Sequence, residues 1–302
     1  MAGVILMVAG YFRAGALISL VPEPVINGFT IGIALIIATS QLGDVSGLSG
    51  GPVPAEFFAK LDALWDRRET FSGAAALVGV ATMVLIVLFR RAAPRFPGLI
   101  FAVGLTSAYV VFSGVPVDTI QSRFGDLPSS LPMPSLPEIS VARLQELLPS
   151  ALVIAFLAGV ESLLSAMVAD RMTSDRHRPN AELLAQGIAN VASALFAGLP
   201  ATGAIARTAT NIRAGGKTPV AGMVHALVLL ILMLGASRLA GYLAMPALAG
   251  LLILTAWNMS EPHKWRGYLA ERRSDQLLLV LTLVLTVVAD LTVAIGVGVA
   301  LG

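Results

Sequence analysis

Residues 200–216 read Pro-Ala-Thr-Gly-Ala-Ile-Ala-Arg-Thr-Ala-Thr-Asn-Ile-Arg-Ala-Gly-Gly, a polar segment set between two long apolar runs. A helix that crosses a bilayer against lipid needs about 20 apolar residues, and this segment is too short and too polar for that role. With half of it extended at about 3.3 Å per residue and half helical at about 1.5 Å per residue, it is just long enough to reach across. The segment therefore predicts a short strand followed by a half-helix at membrane depth.

The composition of the whole chain places this segment in a membrane protein. Of the 302 residues, 56% are hydrophobic and only 13% are charged, whereas a soluble domain carries about 25% charged residues. Gly28 and Gly32, four residues apart in one apolar run, indicate close contact with another helix. We expect an all-α, polytopic protein that is integral to the plasma (inner) membrane and surrounded by the lipid bilayer. Apolar windows of spanning length cover residues 24–43, 70–89, 96–117, 147–169, 183–206, 218–237, 239–260 and 276–302.

The same composition argues against several classes of function. Lys and Arg number 20 against 18 Asp and Glu, and the net charge of +2 gives no indication of nucleic-acid binding. The chain has no cysteine, and its histidines (His177, His225 and His263) lie far apart in sequence, so no metal-site spacing is present. The sequence patterns of metalloproteases, serine hydrolases and P-loop enzymes do not occur. We therefore expect no enzyme, no cofactor and no nucleic-acid partner.

Basic residues orient the spans, because cytoplasmic loops are enriched in Lys and Arg. The span that begins near residue 183 has to leave the cytoplasm after Arg178, whereas Lys217 has to be inside again for the next two spans to return Lys264 to that side. Something between residues 200 and 216 therefore has to cross the membrane. A discontinuous span of this kind is typical of substrate sites in secondary transporters. The basic residues expected inside are Arg13, Arg90, Arg91, Arg95, Arg171, Arg176, Arg178, Arg213, Lys217, Lys264, Arg266, Arg272 and Arg273.

Arg207 is the charged residue nearest the middle of this segment. A guanidinium at that depth disfavours insertion by about 3 kcal/mol unless it faces a cavity or a partner. If the half-helix begins near Ala206, its free N–H groups and positive dipole end coincide with Arg207, and together they form an anion site. The alternative is a structural role, in which Arg207 pairs with Glu161 or with backbone carbonyl groups and never meets a substrate.

Glu161 is the only acid in the window of residues 147–169, and Ser165 follows it one turn later on the same helix face. A carboxyl group in such a position can exchange a proton, bind sodium or balance the charge of Arg207. A satisfied structural acid is the remaining interpretation, and the sequence leaves all of these roles open.

Three blocks of sequence are specific enough to indicate a family. The first is Pro-Val-Ile-Asn-Gly-Phe-Thr-Ile-Gly at residues 24–32, which leads to Gln41-Leu42. The second is Glu-Ser-Leu-Leu-Ser-Ala-Met-Val-Ala-Asp at residues 161–170, followed by Asn-Ala-Glu-Leu at 180–183 and Gln-Gly-Ile-Ala-Asn at 186–190. The third consists of residues 200–203, 207–211 and 214–218. Together these blocks resemble the SulP family of sulfate permeases and inorganic anion transporters, the family of prestin and pendrin.

The resemblance implies a UraA-like fold of two inverted seven-helix repeats, divided into a core and a gate domain, with transport by an elevator-like movement. It also implies that the anion binds between two half-helices, in the third and tenth spans. By position, Ile205 and Ala206 correspond to the strand-to-helix junction of the tenth span, and Arg207 and Thr208 follow in its first turn. Glu161 and Ser165 correspond to a sodium site in a bicarbonate-transporting relative, where aspartate stands in place of Glu161. Because of that difference, coupling to protons and simple charge compensation are at least equal expectations.

The resemblance further implies that the chain is an incomplete single transport domain. We expect residues 1–146 to represent spans four to seven of the first repeat, and residues 147–302 to represent spans eight to fourteen of the second, with the last one truncated. We expect no STAS domain, and a homodimer for the complete protein.

The resulting functional expectation is secondary active transport of an anion, coupled to H⁺ or Na⁺. Sulfate, bicarbonate, chloride and a C4-dicarboxylate are the candidate substrates. Two alternatives stay open: a nucleobase transporter of the same fold, and a membrane fragment that does not transport.

Overall fold

The computed structural model describes residues 1–16, 22–51, 53–93, 96–289, 293–294, 297–298 and 301. Within these residues the chain is mostly α-helical, which confirms the expected fold class, and it contains no strand beyond an isolated antiparallel bridge between Thr119 and Ala244. The helices are α1 (Ala2–Tyr11), α2 (Glu23–Ser46), α3 (Phe57–Asp66), α4 (Gly73–Ala92), α5 (Gly98–Ser113), α6 (Ile120–Phe124), α7 (Val141–Thr173), α8 (Pro179–Leu195), α9 (Ile205–Arg213), α10 (Val220–Gly241), α11 (Met245–Met259), α12 (Trp265–Tyr268) and α13 (Arg273–Val288).

Four of these helices, α2, α4, α7 and α10, are long and apolar enough to cross a membrane. Helices α1 and α5 are also apolar, but they are shorter. The apolar window expected at residues 183–206 is longer than the helix it contains, because α8 ends at Leu195. Gly198 and Pro200, which disfavour helix, follow shortly after. The last expected window, residues 276–302, contains one acid, Asp290, and this residue lies outside the described residues.

The helices form two compact units that interleave along the chain. Residues 1–21 and 130–234 make up the first unit, and residues 22–129 and 235–302 make up the second. Helix α10 contributes residues to both units. The boundary between repeats that we expect at residues 146 and 147 falls inside α7, and it stays a prediction.

In the first unit, α7 contacts α1, α8 and α9, and α1 also lies along α8. Glycine allows α1 and α8 to approach closely, since a β-carbon at Gly3 would lie 2.7 Å from the carbonyl oxygen of Gly187. Beside this contact is a buried apolar cluster that joins α1, α7 and α8. Its members are Leu6, Ala155, Ala158, Leu163 and Leu183.

In the second unit, α2 lies against α11 and α13, and α4 lies against α5 and α11. A β-carbon at Gly28 would lie 2.3 Å from the carbonyl oxygen of Leu279, and one at Gly32 would lie 2.8 Å from the β-carbon of Thr286. The glycine pair in α2 therefore makes the close helix contact that its spacing predicts, with α13 as its partner.

Several polar groups of the second unit are paired within it. The buried hydroxyl groups of Thr82 in α4 and Thr106 in α5 lie 2.8 Å apart, and Thr82 also donates to the carbonyl oxygen of Val78. Arg123 forms ion pairs with Asp44 and Asp118. Partial burial by itself lowers the pKa of Arg123. The hydrogen bonds to these two carboxylates and the attraction to their charges outweigh that effect, so the pKa of Arg123 lies above its ordinary value.

Candidate functional site

The half-helix predicted in residues 200–216 is present as α9, which begins at Ile205 and ends at Arg213. Ala204 precedes it in an extended conformation and has no side-chain oxygen with which to cap the helix. The backbone N–H of Thr208 donates to the carbonyl oxygen of Ala204 at 2.9 Å and closes the first turn. The three N–H groups before it, those of Ile205, Ala206 and Arg207, have no acceptor inside the helix. They give this end of α9 a positive electrostatic potential.

The short strand predicted before α9 does not form. Ala201 is paired instead by side chains of α8: its N–H donates to Oδ1 of Asn190 at 2.8 Å, and its carbonyl oxygen accepts from Nδ2 of Asn190 at 2.9 Å. Nε2 of Gln186 donates to the same carbonyl oxygen. These amide groups satisfy the backbone N–H and the carbonyl oxygen of Ala201.

Helix α7 holds the residues that follow Ala201. The backbone N–H of Gly203 donates to Oγ of Ser162 at 3.0 Å, and the hydroxyl of Thr202 donates to the carbonyl oxygen of Ala158 at 2.9 Å. A β-carbon at Gly203 would lie 2.9 Å from Cα of Ser162. Only glycine lets the chain come this close to α7 without a shift.

Ser165 and Thr208, which the sequence assigned to different roles, are in direct contact. Their hydroxyl oxygens lie 2.6 Å apart, and Ser165 is buried with 4% of its surface exposed. This hydrogen bond ties the first turn of α9 to the C-terminal half of α7. It also joins the residues expected to bind the anion to those expected to bind the coupling ion.

The two charged residues of the site are not paired with each other. In the described part of the chain, neither Arg207 nor Glu161 takes part in an ion pair. The side chain of Arg207 is exposed, and that of Glu161 is half-buried on α7. The direct Arg207–Glu161 pair considered from the sequence is therefore not formed. Ile205 is half-buried, and of Ala206 only the backbone is described.

The sequence-based prediction missed the residues that support the site. Gln186 and Asn190 stand one turn apart on α8, and their side chains converge on Ala201. Both belong to the Gln-Gly-Ile-Ala-Asn block at residues 186–190, which contributes to the family resemblance, so the sequence did contain a signal for them. Among the described residues, no group of three or more His, Asp or Glu side chains is placed to hold a metal ion.

Comparison with known families decides what kind of protein carries this site. The sequence profile described as the sulfate permease family matches residues 1–282. The chain belongs to the sulfate permease family. Membership makes it an integral, multi-pass membrane protein of a transporter family rather than an enzyme, as expected from the sequence.

Individual members of the sulfate permease family align over nearly the whole chain. The putative sulfate transporter YvdB of Bacillus subtilis is 40% identical over 299 residues, which are 99% of this chain and 56% of that protein. The bicarbonate transporter BicA of Synechocystis is 31% identical over 309 residues, which are 99% of this chain and 52% of that protein. The chain therefore spans about half the length of these relatives.

A solved structure supports the same family fold. The transmembrane domain of a cyanobacterial bicarbonate transporter BicA superposes with a TM-score of 0.84 at 31% identity, covering 97% of this chain and 74% of that domain. This similarity confirms the UraA-like fold that the resemblance implied.

Proposed function

We propose that the chain carries the anion-binding site of a secondary active transporter at the N-terminal end of α9. The observation that carries the proposal is the uncapped first turn of α9 with Arg207 in it. A helix N-terminus with free N–H groups favours an anion, and the guanidinium adds a full positive charge beside it. Hydrogen bonds from α7 and α8 hold this end of the helix in place before a ligand arrives.

The chemistry of the site favours a small inorganic or carboxylate anion. The names of relatives include a putative sulfate transporter and bicarbonate transporters. Sulfate is the substrate we propose first, and bicarbonate, chloride and a C4-dicarboxylate suit the same donors. A fixed cation argues against a neutral nucleobase, because the guanidinium would remain unpaired in its presence.

The proposed transport mode is an elevator movement. Its support is the division of the chain into two compact units, with α7, α8 and α9 all in the first. A site built within one unit can be carried as a body without being taken apart. For the complete protein we propose a homodimer in the membrane.

The proposed coupling site is formed by Glu161 and Ser165, one turn apart on α7. A carboxylate and a hydroxyl oxygen are suitable ligands for sodium, and the carboxylate alone can carry a proton. The hydrogen bond between Ser165 and Thr208 gives a physical connection from this position to the first turn of α9.

Changing Arg207 to glutamine tests the anion site. In proteoliposomes that contain the protein, we expect the half-saturating concentration of radiolabelled sulfate to rise about 10- to 100-fold, because a charge-assisted hydrogen bond contributes about 1.5–3 kcal/mol. The matched control is Arg238→Gln, which removes an exposed arginine near the end of α10 and should leave uptake unchanged. A half-saturating concentration within twofold of wild type for Arg207→Gln would contradict the proposal.

Changing Glu161 to glutamine tests the coupling role. We expect uptake to lose its stimulation by an imposed proton or sodium gradient, whereas exchange of sulfate against internal sulfate continues, because the amide neither carries a proton nor attracts a cation. Whichever gradient stimulates the wild type identifies the coupling ion. The control is Glu146→Gln, an exposed acid near the start of the same helix. If an ion gradient stimulates uptake by Glu161→Gln as strongly as uptake by the wild type, the role of Glu161 is structural.

A further inference from the structure

The hydrogen bonds between Asn190 and Ala201 have the pattern of a strand pair. In an antiparallel sheet, two opposed residues exchange both of their backbone hydrogen bonds. Here one side-chain amide supplies the donor and the acceptor, at 2.9 Å and 2.8 Å from the backbone of Ala201. Asn190 is buried, with 7% of its surface exposed, whereas Ala201 is exposed, so these bonds are partly buried.

The remaining capacity of the Asn190 side chain is used inside α8. Its Nδ2 also donates to the carbonyl oxygen of Gln186, one turn earlier, at 2.9 Å. A primary amide has two N–H donors, and both are therefore occupied, while Oδ1 accepts from Ala201. No donor of Asn190 is left for an anion. Its contribution to the site has to be indirect.

We infer that Asn190, with Gln186, holds Ala201 and thereby positions the anion-binding end of α9. We call this pair the amide clamp. The inference rests on the proposed function, because it assigns to Asn190 the task of aiming the N–H groups that would bind the anion. Ala201 lies only four residues before Ile205, the first residue of α9. A displacement of Ala201 therefore reaches the site through a short link, residues 202–204.

The clamp acts together with α7 but at a different point. Ser162 and Ala158 hold Thr202 and Gly203 from one side, whereas the clamp holds Ala201 from α8. Without the clamp, the backbone of Ala201 would lose its hydrogen-bond partners on α8, and the link would be fixed on the α7 side only. The expected result is a site that binds the anion less well in a protein that is still folded.

Asn190→Asp and Asn190→Leu test the clamp. Asn190→Asp keeps an acceptor for the N–H of Ala201 but sets a carboxylate oxygen against its carbonyl oxygen, and Asn190→Leu removes both bonds. We expect both variants to raise the half-saturating sulfate concentration at least tenfold in proteoliposomes, with the maximal rate within threefold of wild type. We also expect a difference in thermal unfolding of the purified proteins. Sulfate at the wild-type half-saturating concentration should raise the melting temperature of the wild type but not that of either variant.

The matched control is Ser193→Ala. Ser193 lies on the same helix and donates to the carbonyl oxygen of Leu199, two residues before Ala201, so it contacts the same connection without touching the link to α9. We expect its half-saturating concentration to equal that of wild type. If Asn190→Leu does not fold, the near-isosteric Asn190→Asp decides the outcome.

The results separate this inference from the proposal on which it rests. Unchanged sulfate affinity in Asn190→Asp and Asn190→Leu, with weakened affinity in Arg207→Gln, would overturn the amide clamp and leave the anion site standing. The amide clamp would also be overturned if Ser193→Ala lost as much sulfate affinity as the Asn190 variants. The effect would then belong to the whole connection between α8 and α9. Unchanged affinity in Arg207→Gln would overturn both.

Discussion

Replacing Gly203 with valine is expected to abolish sulfate uptake while the protein remains folded. A β-carbon at this position would lie 2.9 Å from Cα of Ser162 and 3.3 Å from Cβ of Ser165, and valine adds two further methyl groups. The neighbouring atoms belong to a helix backbone and cannot turn aside, so the link and the first turn of α9 have to move away from α7. In a preorganised site a displacement of about 1 Å lowers efficiency by about 100-fold.

The measurement is uptake of labelled sulfate into proteoliposomes, with size-exclusion chromatography in detergent to show that the variant is folded. Gly222→Val is the matched control, because a β-carbon at Gly222 on α10 meets no atom within 4 Å. The effect does not arise from backbone conformation, since Gly203 is not among the glycines with positive φ. Uptake by Gly203→Val within threefold of wild type would show that the close approach to α7 is unimportant.

Replacing Gly28 with valine is expected to destabilise the second unit. A β-carbon there would lie 2.3 Å from the carbonyl oxygen of Leu279 and 3.1 Å from Cβ of Thr282, so α2 and α13 would be forced apart. Overpacking of this kind destabilises by about 3 kcal/mol. For a chain of 302 residues that corresponds to a melting temperature lower by about 5 °C.

Thermal unfolding of the purified protein in detergent provides the measurement for Gly28. Gly104→Val on α5 is the control: it makes the same chemical change in a helix, and a β-carbon at Gly104 has open space around it. If the two variants melt at the same temperature, the loss belongs to glycine replacement in general, and the contact between α2 and α13 has no special weight.

Much of the fold follows from the sequence because lipid imposes a simple requirement. Helices that face hydrocarbon have to be apolar over a fixed length, so α2, α4, α7 and α10 stand out in composition alone. The half-helix α9 is detectable for the opposite reason. Its residues are too polar to face lipid, and the distribution of basic residues demands a crossing there.

The missing strand shows where that reasoning ends. A non-helical backbone before α9 is predictable, but which groups pair with Ala201 depends on whether a strand or a side chain is nearest in space. Asn190 and Gln186 read as ordinary polar residues of an amphipathic helix until the approach of the chain is known.

The contact between Ser165 and Thr208 was equally hidden. The two residues are far apart in sequence, and their meeting depends on how closely Gly203 lets the chain approach α7. Hydropathy and charge carry no information about that distance. The same holds for Arg207 and Glu161, whose charges suggest a pair that the described structure does not form.

The hydrogen bonds that join α9 to α7, and the chain just before α9 to α8, have a consequence for the energetics of accumulation. On the proposed function, a binding end held this firmly presents the same N–H groups and the same guanidinium whether it opens to the outside or to the inside of the cell. The anion then meets the same donors of α9 on both faces, and binding alone cannot drive a concentrative flux. Any uphill gradient has to come from the membrane potential or from the ion that travels with the anion.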